Sequence, residues 1–210
     1  MQMAKPTDTR KVLLLHGIWM PGVSMAWLGA RLAAAGFEPE VFAYAGAGGG
    51  PEATLPRLVE RLRREPVHML AHSLGGLIAL TALREYPELP VERVVCLGSP
   101  LCGSSAADGL ARHAWSAPML GRAAQLLQAG CPPWQGAAQI GLIAGCSPRG
   151  LGRYFGRFEG DSDGTVAVSE TRLPGLAAHE VIEASHSGLL FSAQAARMAE
   201  TFFRRGRFAD

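Results

Sequence analysis

The chain has no run of apolar residues approaching the roughly 18 to 20 that a helical membrane span needs, so a spanning helix is excluded while peripheral contact with lipid stays open. It also has little charge of either sign in blocks. Twenty Lys and Arg against 18 Asp and Glu leave a formal net charge of +2, scattered along the chain, and no electrostatic footprint for nucleic acid results. The basic cluster Arg204, Arg205 and Arg207 lies near the end, where it favours the dipole of a last helical turn. Only four cysteines occur, Cys96, Cys102, Cys131 and Cys146, and they form neither a CxxC pair nor a regular framework. That is unlike the disulfide scaffold of a small secreted domain, and reduced thiols in a cytoplasmic protein are the simpler expectation. No HExxH spacing joins the histidines, and the glycine run Gly46, Gly48, Gly49 and Gly50 has neither GxGxxG nor a GKS or GKT ending. That run reads as a flexible strand-to-helix loop, and no metal or cofactor is expected.

What is present is a chain of 210 residues, 48% hydrophobic, which can bury the core of a single domain spanning 1–210. Lys5, Arg10 and Lys11 followed by Val12 to Leu15 imitate a secretory leader. The apolar run is too short and ends at His16, so it reads as a buried strand. Apolar, β-rich runs alternate with helical patterns along the chain, which predicts a three-layer α/β sandwich around a mostly parallel sheet. The strands fall at Lys11 to Leu15, Glu40 to Tyr44, Val67 to Ala71, Val91 to Leu97, Gln139 to Ala144 and His179 to Ile182. Helices are expected over Ser24 to Ala35, from Pro51, over Leu74 to Arg84 and over Gly188 to Arg204. About six parallel strands are expected, since only about ten residues precede the first. The segment Gly103 to Ala138, rich in Ala, Gly and Pro, interrupts the alternation and reads as a lid or crossover insertion.

Three stretches carry chemistry. Ala71-His72-Ser73-Leu74-Gly75-Gly76 follows a strand and opens a helix, the context of a nucleophile elbow. A serine at the tip of such a turn needs small residues two before and two after it, and Ala71 and Gly75 meet that demand. A plain helix N-cap serine has the same local pattern. His16-Gly17-Ile18-Trp19 follows the first strand, where the N–H of Ile18 could pair with the N–H of Leu74 as an oxyanion hole. Asp161-Ser162-Asp163-Gly164 and Ser185-His186-Ser187 come late, so that Ser73, Asp163 and His186 stand in the order Ser, Asp, His with gaps of 90 and 23 residues. That order is the one α/β-hydrolases use. His186 would take the serine proton and the carboxylate would hold its tautomer, with Asp161 competing for the acid role. The DSDG turn is a poor calcium loop because Arg172 stands where the closing carboxylate ligand belongs. His16 reads as structural. His72 is expected to point away from the serine oxygen.

Taken together, HGIW at His16–Trp19, AHSLGG at Ala71–Gly76, GSPLCGS at Gly98–Ser104, DGTV at Asp163–Val166 and His186 resemble the small bacterial lipases and esterases of the α/β-hydrolase superfamily over most of the chain. The resemblance implies a minimal α/β-hydrolase fold, an oxyanion amide from the HG motif and the aspartate of the DG-x-V stretch as triad acid, which selects Asp163 over Asp161. It implies a small-molecule ester with an acyl or lipid-like chain as substrate. Trp19, Met20, Trp115 and Trp134 are candidates for its binding wall, beside Met119, each as readily ordinary core. A thioesterase or acyltransferase would use the same triad, and a binding protein that keeps the fold without catalysis is the reading of another class. Oligomeric state is not legible.

Overall fold

A computed structural model of the chain describes residues 9–45, 50–111, 120–148 and 160–209. Lys11–Leu15 (β1), Glu38–Phe42 (β2), Val67–His72 (β3), Val91–Leu97 (β4), Gln139–Gly145 (β5) and Ala178–Ile182 (β6) form one sheet in the order β2-β1-β3-β4-β5-β6. Every pairing is parallel. Side chains alternate between the two faces, as the two-residue period of a strand requires. Leu13, Leu15, Met69, Ala71, Val94 and Cys96 enter one apolar cluster, whereas Val12, Leu14, Leu70, Val95 and Leu97 enter the other. Both faces are thus dry, which is why the central strands read as continuous apolar runs. The outer strands β2 and β6 are half exposed and carry Glu38, Glu40 and Glu180 outward, charges that discourage pairing with a foreign edge.

Helices Ala26–Ala34 (α1) and Ala193–Arg205 (α6) cover the second cluster. Helices Gly50–Leu62 (α2) and Leu74–Glu85 (α3) cover the first, joined by the short helices Ser105–Ala111 (α4) and Ala124–Ala129 (α5). The six-stranded, all-parallel layer with helices on both faces is the architecture expected from the sequence.

Two elements sit differently. β2 starts and ends two residues before the expected Glu40 to Tyr44, because its register is set by pairing with β1 from Lys11↔Glu38 to Leu15↔Phe42. An edge strand with polar outward residues has weak apolar contrast, and Tyr44 is spent on another contact: its ring stacks on His16 at 4.2 Å. The last helix does not run unbroken from Gly188. Gly188–Phe191 is a 3-10 turn, Ser192 is extended and its hydroxyl accepts from the Ala195 N–H at 3.1 Å, and α6 begins there, closing on a left-handed Gly206.

The described part of the 103–138 segment holds α4 and α5. Leu110, Leu120, Leu127 and Trp134 join the cluster under α2 and α3. Residues 112–119, with Trp115 and Met119, lie outside the described residues, as do Gly46, Gly48 and Gly49. Among the described residues no helix is long and apolar enough to cross a membrane.

Of the buried imidazoles His16, His68 and His72, the last two are held well below the ordinary histidine range. His68, stacked on Phe203 at 5.0 Å, is pushed down to about 4 by desolvation, which outweighs the nearby Glu92 carboxylate. His72, fully buried, is pushed down to about 3 by desolvation and then by the neighbouring His186. Each group binds its proton more weakly folded than unfolded. Its contribution is therefore complete above an unfolded pKa near 6.5 and is lost as pH falls through a window that reaches down to about 4 for His68 and about 3 for His72. Each loses on the order of 3 kcal/mol across that window. We expect the urea midpoint to fall steeply between pH 7 and pH 4.5, and His68→Phe, which keeps the aromatic stack, to remove a large share of that slope. Equal midpoints at the two pH values would contradict it.

Candidate active site

In this strand order β1 and β3 are neighbours, and the chain leaves them in opposite directions, toward β2 and toward β4. Their carboxyl ends flank the switch point where open α/β sheets take ligands. His16 and Gly17 follow β1 there, and Ser73 follows β3.

Ser73 has φ 54 and ψ −121, one of two non-glycine residues with positive φ among the described residues. A strained conformation of this kind persists only when its surroundings over-determine it. Those surroundings are visible. The Ser73 N–H donates to the Leu97 carbonyl of β4 at 2.9 Å, and α3 begins at once. Gly75 is pressed on the end of β1, where a Cβ would stand 2.8 Å from the Leu15 carbonyl oxygen and 2.9 Å from that of His16. The serine side chain makes no capping bond to α3, so the N-cap alternative is not what the turn serves.

Gly17 brings the β1 loop against the elbow. A Cβ there would lie 3.1 Å from Ser73 Cβ, so the Ile18 segment stands beside Ser73 and the start of α3 at Leu74. His16 anchors this loop rather than entering the chemistry. Its Nδ1 donates to the Gly17 carbonyl at 2.9 Å, its Nε2 accepts from the Tyr44 N–H at 3.4 Å, and the Tyr44 hydroxyl donates to the His16 carbonyl. Ile18 packs into the first core cluster and Met20 against the second, so the loop passes over the sheet edge between them. Trp19, at its crest, has φ 59 and is 54% exposed.

Asp163 sits in a tight hairpin after β5, held by the bridge between Ser162 and Ala167. Its Oδ1 accepts from the Thr165 N–H at 2.9 Å and the Val166 N–H at 2.7 Å. Oδ2 takes the remaining partner, Nδ1–H of His186, at 2.7 Å. The main chain repeats the link, because the His186 N–H donates to the Asp163 carbonyl at 3.0 Å. Asp163 is 1% exposed and its carboxylate accepts from three donors, an arrangement that holds the His186 ring in the tautomer with a bare Nε2. Asp161 is exposed and contributes only its carbonyl, to the Val168 N–H.

The structure thus brings Ser73, Asp163, His186, Ile18 and Leu74 to one sheet edge, with Trp19 and Met20 beside them. Trp134 is not brought there. It is buried just before β5, at the amino edge of the sheet, with its indole N–H on the Ala138 carbonyl at 2.9 Å and Arg84 over the ring. Sequence reasoning singled out the GSPLCGS stretch but gave no role to its first residue, Gly98, which follows β4 with φ 55. A Cβ there would lie 3.1 Å from both Asp163 Oδ2 and His186 Nδ1. Its place at a strand end, at the head of that stretch, was the available signal. We expect Gly98→Ala to push this pair apart and lower kcat by about 10 to 100-fold with the fold retained. Unchanged kcat would mean that the pair tolerates the displacement.

Residues 52–136 match the family model described as the alpha/beta hydrolase fold. The chain has the α/β-hydrolase fold. Solved structures similar to it include a Bacillus licheniformis lipase in its propeptide form, at 19% identity and a TM-score of 0.77 over 99% of this chain and 53% of that one. This chain therefore spans about half the length of that lipase. A metagenomic carboxyl esterase aligns at 15% identity and a TM-score of 0.55, over 86% of this chain and 66% of its own. A pyrethroid hydrolase aligns at 15% identity and a TM-score of 0.62, over 93% and 97% respectively. No curated protein matches the sequence.

Proposed function

We propose that this α/β-hydrolase fold carries a serine hydrolase acting on carboxylic esters. Ser73 is the nucleophile, His186 the general base, Asp163 the carboxylate that orients it, and the N–H groups of Ile18 and Leu74 the oxyanion hole. The observation that carries the reading is the strained Ser73 backbone at the sheet edge that also holds the Asp163–His186 pair. With Nδ1–H committed to Asp163, Nε2 of His186 is the free basic nitrogen. It takes the proton of the Ser73 hydroxyl as the oxygen bonds to the ester carbonyl carbon, and the carbonyl electron pair moves to oxygen, where the two amides stabilise it. Collapse of this intermediate breaks the bond to the alcohol oxygen, which leaves with the proton from His186. Water repeats the sequence on the acyl-serine and releases the acid.

The lipase and the carboxyl esterase among the similar structures support an ester as substrate, and Trp19 with Met20 supplies apolar surface beside the reacting atoms. Trp115 remains a candidate for the same wall. We expect p-nitrophenyl esters of graded chain length to be cleaved with kcat/KM above that for the matching acyl-CoA thioesters. The reverse order would make the protein a thioesterase, and ester cleavage only in the presence of an acceptor alcohol would make it an acyltransferase.

A further inference from the structure

We propose that His72 is a positioning residue: its ring joins the three loops of the site and sets the placement of His186 over Ser73. The inference rests on the serine-hydrolase reading. His72 closes β3, immediately before the nucleophile, and its side chain is entirely buried. Its Nε2 lies 3.1 Å from the carbonyl oxygen of His186. A carbonyl only accepts, so Nε2 carries the proton and donates across from the elbow to the histidine loop. In the neutral ring Nδ1 is then bare, and it is buried without a hydrogen-bond partner. That nitrogen packs on the β1 loop, where a Cβ on Gly17 would stand 2.9 Å away. One ring therefore touches the oxyanion loop, belongs to the elbow and bonds the loop of the base.

Filling this space does not call for nitrogen. An apolar side chain would avoid burying an unpaired acceptor, an arrangement that ordinarily costs stability. What the imidazole adds is the single bond to His186, directed at the main chain of the residue whose ring must meet Ser73. The charge state fits this use. His186 faces His72 with ring centroids 4.7 Å apart, and His16 approaches from the β1 loop. Burial above all, and then the two imidazoles, hold His72 down at about 3, so it stays neutral while its neighbour gains and loses a proton. A cation there would oppose the imidazolium that catalysis requires.

The test compares three variants with the parent on p-nitrophenyl butyrate, with phosphonate labelling of Ser73 in the parent as the independent check on the hydrolase reading. His72→Gln places an amide N–H near the position of Nε2, His72→Asn places one near Nδ1, and His72→Leu provides neither. We expect His72→Gln to retain kcat within about threefold, and His72→Asn and His72→Leu to lose about 10 to 100-fold in kcat with KM within about twofold, the loss typical of a misplaced catalytic group. The acid limb of the kcat/KM profile, which reports His186, should move in the two impaired variants and not in His72→Gln. Parent-like kcat in folded His72→Leu, or equal losses in all three with the acid limb in place, would overturn the proposal. Should the variants fail to fold, the parent decides it: nitrogen-15 spectra of labelled histidines should give His72 as the neutral Nε2–H tautomer down to pH 5. An Nδ1–H tautomer, or protonation above pH 5, would overturn it.

Discussion

Ser73→Ala and His186→Ala are each expected to remove ester turnover almost completely, on the order of 10⁶ in kcat, because members of one triad act as a unit. The loss should come without unfolding. Ser73 is 6% exposed and donates only its backbone N–H to β4, a bond that alanine keeps. Alanine there still has to adopt φ 54, but so does the serine it replaces. For His186 the side chain is 12% exposed, and its removal leaves the Asp163 carboxylate with its two amide donors from Thr165 and Val166. Circular dichroism and melting temperature beside kcat would check both variants. A folded variant with more than a few per cent of parental turnover would contradict the assignment of that residue.

The second large effect separates two aspartates that are two residues apart. Asp163→Asn is expected to cost about 10⁴ in kcat, since an amide facing Nδ1 favours the wrong tautomer of the histidine. Asp161→Asn should change kcat little, because the Asp161 side chain is exposed and only its carbonyl is used, in a bond that the amide variant retains. The Asp163 change leaves the Oδ1 bonds to Thr165 and Val166 available to the asparagine oxygen, so the hairpin should survive. Steady-state kinetics of the purified pair decide the matter. An inversion would move the acid to Asp161, and equal small effects would remove both from the triad.

The architecture was legible where burial is two-sided. β1 and β4 have the bounds expected from the sequence, because central parallel strands are dry on both faces and leave runs such as Val12–Leu15 and Val94–Leu97 wholly apolar. β2 slipped by two residues because an edge strand alternates polar and apolar residues weakly, and only its partner β1 sets where pairing stops. The break at Ser192 was hidden because a 3-10 turn followed by a helix has nearly the apolar spacing of a helix alone.

The site was legible for a different reason. Each of its side chains belongs to a loop after a strand, and parallel pairing brings all such loops to one edge without any knowledge of distances. Contacts between loops had no such guide. Trp134 was a candidate for the substrate wall because an apolar residue in an insertion carries no sign of which sheet edge it reaches; it lies at the amino edge, in the core. His72 was expected to point away from the serine oxygen, and its bond to the His186 carbonyl crosses 114 positions of sequence, beyond any local pattern. Gly98 matters through the space it leaves for Asp163 and His186, which only the assembled fold defines.

The central claim is that Ser73 is an activated nucleophile, and covalent labelling tests it most directly. Parent protein, Ser73→Ala and His186→Ala would be treated with a fluorophosphonate, digested and mapped by mass spectrometry. The account predicts stoichiometric phosphonylation of the parent at the peptide containing Ser73, none in Ser73→Ala, and labelling slowed by orders of magnitude in His186→Ala. An unlabelled, folded parent, or an adduct at another residue that persists in Ser73→Ala, would contradict it.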